Sequence, residues 1–134
     1  VPADKANSYA DADSAKDLSF AVEIGSAGKE QAESNGFNYT EVADQATALL
    51  EVSSGTADAA IIDYLMAAAM TGEGTSYANL TFTASLNSEE YGVGFRKGSD
   101  LAAALNEFFK SSYADGTMKT IADTYNIGDM LVEQ

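Results

Sequence analysis

From Leu18 to Ile24 the apolar residues Leu18, Phe20, Val22 and Ile24 alternate with small or polar ones. A repeat of two puts such side chains on one face of a β-strand. Gly25-Ser26-Ala27-Gly28 breaks the pattern, and Ser26 stands where it can cap a helix that runs to about Asn35 and is closed by Gly36. Asn38 to Val42 predicts a second strand. Asp44 can cap the next helix, in which Ala46, Leu49, Leu50 and Ser53 fall on one face and Gly55 ends it. Asp58 to Ile62 predicts a third strand, and Tyr64 to Thr71 a third helix stopped at Gly72.

Gly72-Glu73-Gly74-Thr75-Ser76 has the composition of a flexible loop. Leu80 to Leu86 predicts a fourth strand and Tyr91 to Phe95 a fifth. Ser99 or Asp100 then caps a helix carrying Leu101, Leu105, Phe108, Phe109 and Ser112 on or near one face. Asp115-Gly116 breaks it, and a last helix carries Met118, Ile121, Ala122 and Tyr125. Ahead of all this, Val1 to Lys16 is rich in Ala, Asp and Ser and reads as an extended segment followed by a solvated turn. Strands alternating with helices predict an α/β fold, with a mainly parallel five-stranded sheet flanked by helices.

Composition narrows the chemistry. The 134 residues include 21 acidic and 7 basic ones, a net charge of −14. Such a surface repels phosphate backbones and anionic lipid, so no nucleic-acid partner is expected, and it favours cationic small partners. The chain has no Cys and no His, which removes disulfides, thiolate catalysis, Ser-His-Asp chemistry and the usual zinc or haem sites. Neither a cofactor nor a metal is expected. Glu89-Glu90 and Asp11/Asp13 lack the spaced D-x-D-x-D-G pattern of a calcium loop and read as solvated charge. No apolar run reaches the roughly 20 residues that span a bilayer. The opening Val1-Pro2, with no signal-peptide pattern, predicts a processed chain or a fragment.

Candidate chemistry gathers at two strand ends. Asp63 closes the third strand, and open α/β sheets bind ligands at the carboxyl ends of their strands. It also directly precedes a helix, where a carboxylate serves as an N-cap. Gly25 to Gly28 opens a helix whose unpaired first-turn N–H groups suit a carboxylate, with the Ser26 hydroxyl and the Ala27 N–H as donors. The same turn is also what any strand-to-helix junction looks like. Glu23, at the end of the first strand, is either a contact for a cationic side chain or a solvated residue.

Four segments, and a fifth stretch after them, carry a resemblance. Ser54-Gly55-Thr56-Ala57-Asp58-Ala59-Ala60-Ile61-Ile62-Asp63 is similar to the "SG-x-x-D-A-x-x-x-D" stretch of bacterial extracellular solute-binding proteins that serve polar amino-acid ABC importers. Lys16-Asp17-Leu18 to Ile24 resembles the family's passage into the second lobe of its clamshell, and Gly25-Ser26-Ala27-Gly28 resembles its ligand-binding turn. Glu90-Tyr91-Gly92-Val93-Gly94-Phe95-Arg96-Lys97-Gly98-Ser99 resembles the strand that returns to the first lobe, and Asp115-Gly116-Thr117-Met118-Lys119-Thr120-Ile121 is similar to the motif that follows.

The resemblance implies a periplasmic-binding-protein-like fold. Residues 1–88 would be the second, small lobe, and residues 89–134 the returning strand and helices of an incomplete first lobe. It implies a binding protein rather than an enzyme, at the outer face of the cell or in the periplasm. The ligand would be a polar amino acid, cationic ones included, held by hinge closure, and the protein partner an ABC permease. Asp63 would grip the α-ammonium, the Ile24-Gly25-Ser26-Ala27 turn would meet the α-carboxylate, and Glu23 would face the ligand side chain. The first lobe's own ligand residues have no counterpart here. Its orphaned helices, with Phe95, Leu101, Leu105, Phe108, Phe109, Ile121 and Tyr125, predict association into a homodimer. Two other functions fit the same fold: a periplasmic cyclic dehydratase using carboxylates such as Glu23 and Asp63, and a sensor lobe of a signalling receptor.

Overall fold

A computed structural model describes residues 1–125 and 127–132. The chain divides into two compact units, Val1–Ser88 and Glu89–Gln134.

The first unit opens with a 3-10 helix, Ala3–Ser8, and a short helix α1, Ala12–Ala15, where the composition predicts only extended chain and turn. Local capping explains α1: the Asp11 carboxylate accepts the Ser14 N–H at 2.9 Å, and the Ser14 hydroxyl accepts the Asp11 N–H at 3.2 Å. Strand β1 (Ser19–Glu23) leads to helix α2 (Ala27–Asn35), strand β2 (Asn38–Val42), helix α3 (Gln45–Ser54), strand β3 (Ala59–Ile61) and helix α4 (Tyr64–Met70). The predicted helix ends sit where capping chemistry puts them. The Ser26 hydroxyl accepts the Lys29 N–H at 3.1 Å, and the Asp44 carboxylate accepts the Thr47 N–H at 2.7 Å. Gly36 and Gly55 close α2 and α3 with φ of 68° and 81°, the left-handed conformation that costs glycine least.

The sheet has three strands in the order β2-β1-β3, all parallel. Its two-residue period sorts the core. Phe20, Val22, Ala59 and Ile61 pack on one side with Ala32 of α2 and Phe37, while Ala60 and Ile62 pack with Leu49 and Val52 of α3 and with Leu80. The result is three layers, helix on both faces of the sheet. The buried side of α3 is Ala48, Leu49 and Val52, and Leu50 is exposed. That face is rotated from the predicted one, because the sheet beneath is met by residues one and four positions apart.

The five-stranded sheet is corrected to three among the described residues. Of the predicted fourth strand, only Leu80 joins a ladder, as an isolated antiparallel bridge to Pro2. Around it Ala3 N–H donates to Asn79 O, and Thr81 N–H to Val1 O, each at 2.9 Å. The chain from Phe82 to Arg96 has no regular secondary structure. Tyr91, Val93 and Phe95 keep the alternation of a strand, yet Tyr91 is 83% exposed. Alternation says which way side chains would point in a ladder, and a ladder needs a neighbouring strand to supply the hydrogen bonds.

The second unit holds helix α5 (Leu101–Ala114), helix α6 (Thr117–Thr124) and a 3-10 turn, Gly128–Met130. Asp115-Gly116 separates the helices, with Gly116 at φ 79°. The Tyr113 hydroxyl donates to Val132 O at 2.8 Å, tying α5 to the chain beyond α6. Among its described residues only Ser112 and Ala122 are buried, and Leu101, Phe108 and Ile121 are exposed. No helix among the described residues is long and apolar enough to cross a membrane.

At the amino ends of β1 and β3, Asp58 joins the strands. Its carboxylate accepts the Ser19 hydroxyl at 2.6 Å and the Ser19 N–H at 3.0 Å, while its own N–H donates to Ser19 O at 2.9 Å. These hydrogen bonds, the hydroxyl's first, hold the Asp58 carboxyl below its ordinary value of 3.8. Backbone and hydroxyl donors lower Asp11, Asp44 and Asp115 in the same way. A carboxyl with a depressed native pKa takes up its proton first in the unfolded chain, so its stabilisation is complete above the ordinary value. That stabilisation disappears as pH falls through the lowered native one. Unfolding midpoints are therefore expected to drop on acidification below about pH 4. Asp58→Asn is expected to cost about 1 kcal/mol at neutral pH, since solvent exposure keeps the pair near the low end of charged hydrogen bonds. It is also expected to flatten the acid limb of the curve. An unchanged acid limb in that variant, measured by thermal melts across pH, would remove Asp58 from this role.

Candidate functional site

The strand order β2-β1-β3 creates a switch point. From β1 the chain crosses to β2 on one side, then returns past β1 to β3 on the other, and the connecting helices α2 and α3 lie on opposite faces. Between the carboxyl ends of β1 and β3 the two connections part, and it is at such a point that open α/β sheets accept ligands. The register pairs Val22 with Ile61. Glu23, still paired with Val42 of β2, thus stands one residue, and Asp63 two residues, past the last β1–β3 pair.

Ile24, Gly25, Ser26 and Ala27 follow β1 directly. Ile24 is 64% exposed, although its N–H still donates to Val42 O at 3.0 Å. Gly25 has φ 70° with open space where a Cβ would stand, so the turn uses glycine for its backbone angle. The Ser26 hydroxyl donates to Glu23 O at 2.8 Å and accepts the Lys29 N–H. Its proton is thereby committed to the turn itself. The N–H groups of Ala27 and Gly28 at this helix start have no acceptor among the described residues. These are the unpaired donors of a helix start, and the α2 dipole adds partial positive charge to them.

Gly28 brings this helix start to β3. A Cβ on Gly28 would lie 2.7 Å from Ile61 O and 3.3 Å from Ile61 Cγ2. Only a residue without a side chain lets α2 sit this close to the strand that ends at Asp63. From sequence alone Gly28 reads as one half of a loose G-x-x-G turn, and its packing role is visible only once α2 and β3 are neighbours.

Asp63 is half-buried and is the N-cap of α4. Its Oδ1 accepts the N–H groups of Leu65 at 2.8 Å and Met66 at 3.3 Å. Its own N–H donates to Gln45 Oε1 at 3.0 Å, a contact from the first residue of α3 that sequence reading missed. Tyr64, the next residue, stands edge-to-face on Phe82 with ring centroids 5.1 Å apart, and both rings are exposed.

Glu23 is half-buried at the end of β1, and its carbonyl anchors the Ser26 turn. The Lys29 charge is engaged by carboxylates of β2 and α2. Its Nζ lies 3.0 Å from Glu41 of β2 and 3.9 Å from Glu33, and the Glu41 hydrogen bond foremost holds its pKa above the ordinary lysine value. Among the described residues no group of three or more acidic side chains is placed to hold a metal ion. The structure thus brings the turn 24–27 and Asp63 to one edge of the sheet, as donors and an acceptor at neighbouring strand ends. Such an edge has the chemistry to hold a small zwitterion. No family model, curated protein or solved structure matches the chain.

Proposed function

We propose that the chain is part of the substrate-binding component of an amino-acid ABC importer, and that its first unit is the second lobe of a clamshell receptor. The observation that carries this reading is the pairing, at one switch point, of the open N–H groups of Ala27 and Gly28 with the Asp63 carboxylate. An amino acid offers the complementary pair, an α-carboxylate for the helix start and an α-ammonium for the aspartate. Glu23 favours a cationic side chain on that ligand.

A second feature supports the lobe assignment. A lobe inserted between two crossings must bring its incoming and outgoing segments side by side, and Val1–Ala3 lies antiparallel to Asn79–Thr81. Closure of the receptor about that pair of crossings would sandwich the ligand against the first lobe. In the same reading, the exposed Leu101, Phe108 and Ile121 of the second unit are the surface covered by the rest of the first lobe or by a second copy.

One lobe supplies half of the contacts, so millimolar affinity is expected. The test is an NMR titration of the full chain with arginine, lysine and ornithine. Amide shifts are expected at Gly25 to Gly28 and at Asp63. Asp63→Asn keeps an N-cap of equal quality but removes the charge, and is expected to weaken binding about tenfold or more with an unchanged melting temperature. Wild-type spectra indifferent to all three amino acids would defeat the reading, as would equal affinity in the Asn variant.

A further inference from the structure

Asp63 lies beyond the end of the β1–β3 ladder, so no strand carbonyl is in register to receive its N–H. A half-buried amide left without an acceptor is costly. The acceptor is Gln45 Oε1, 3.0 Å away and 18 residues earlier in the chain. Gln45 is the first residue of α3, and that helix is anchored by Leu49 and Val52 against the face carrying Ala60 and Ile62. Asp44 caps the same turn through Thr47 N–H. The acceptor therefore stands on a rigid element rather than on a loop.

The other end of Asp63 is held by its own side chain, through Leu65 and Met66 N–H. With the backbone fixed from α3 and the carboxylate fixed by α4, the direction of the carboxylate is set before any ligand arrives. Such preorganisation spares a binding site the cost of ordering its groups.

We infer that Gln45 is the positioning residue of Asp63, acting on ligand affinity through the Asp63 backbone without touching the ligand. The inference rests on the reading in which Asp63 grips an α-ammonium. Nothing in the pattern of residues 45–63 announces it, because the contact joins the start of one helix to the end of the following strand.

Two variants separate the acceptor from its bulk. Gln45→Met keeps the length of the side chain and loses the oxygen, while Gln45→Glu keeps an oxygen at the same reach. In the full chain, two measurements are made on each: hydrogen exchange of the Asp63 amide with the shifts of the Leu65 and Met66 amides, and the arginine titration. Gln45→Met is expected to speed exchange at Asp63, displace the Leu65 and Met66 signals and weaken arginine binding by roughly three- to tenfold. Gln45→Glu is expected to restore all three. Equal protection of the Asp63 amide in Gln45→Met overturns the inference, and so does an affinity loss that Gln45→Glu fails to restore. Absence of arginine, lysine and ornithine binding in the wild type defeats the ligand reading instead, and the exchange data then decide by themselves whether Gln45 sets Asp63.

Discussion

Phe20→Ala is expected to cost the first unit about 3–5 kcal/mol, the range for emptying a buried aromatic site. Phe20, the second residue of β1, is 5% exposed and stacks on Phe37 with ring centroids 4.6 Å apart and planes 14° from parallel. Its buried neighbours Ala15, Ala32 and Ala59 are small, while Leu18, Tyr39, Ile61 and Leu86 pack on the cluster while partly buried. The alanines let helix and sheet approach closely and have no side-chain mass to refill a vacated space. How far the larger side chains at the rim close in sets where in that range the cost falls. Native domains are stable by only about 5–15 kcal/mol, so this single change would consume a large share. Chemical denaturation followed at β1 amides measures it, and Phe20→Leu should recover most of the loss. A cost under 1 kcal/mol would mean that the stacked pair is not the keystone of this face.

Gly28→Ala is expected to damage stability and site together. The new Cβ would stand 2.7 Å from the Ile61 carbonyl oxygen, and a backbone atom in a central layer has no rotamer to retreat into. Overpacking of this kind costs about 1–3 kcal/mol. Alanine's better helix propensity returns at most about 1 kcal/mol, and less in a first turn, so destabilisation wins. To relieve the clash α2 must move off β3, which carries the Ala27 and Gly28 N–H groups away from the strand end bearing Asp63. If the proposed amino-acid site is right, affinity should then fall by more than the lost stability explains. Gly25→Ala is the control: it meets open space and is strained only through its φ of 70°. A Gly28→Ala protein with native melting and native affinity would show that the close approach of α2 and β3 is not needed.

Much of the first unit is local chemistry. Ser26 with Gly36, Asp44 with Gly55 and Asp63 as a helix start each act within a few residues, and strands β1 to β3 lie within one or two residues of their predicted limits. The candidate site is legible to the same depth. Asp63 and the turn 24–27 stand out as a strand-end carboxylate and a glycine-bounded helix start, while Gln45 and Gly28 do not. Gln45 acts on a residue 18 positions away, and Gly28 matters for what a side chain there would strike on another strand.

The residues from Leu80 to Phe95 show the opposite failure. Their alternation is as regular as that of β1, but β1 pairs with a strand on both edges, whereas Tyr91 to Phe95 takes no regular secondary structure. By itself the sequence determined what capping, glycine angles and two-residue periodicity decide: where helices begin and end, which segments can extend, and that the surface is strongly acidic. Only the tertiary structure decided which extended segments become a sheet, in what order they lie, and which distant residues meet at its edge. Hydrogen-bond ladders and close packing are made between segments, and no single segment carries the information about its partner.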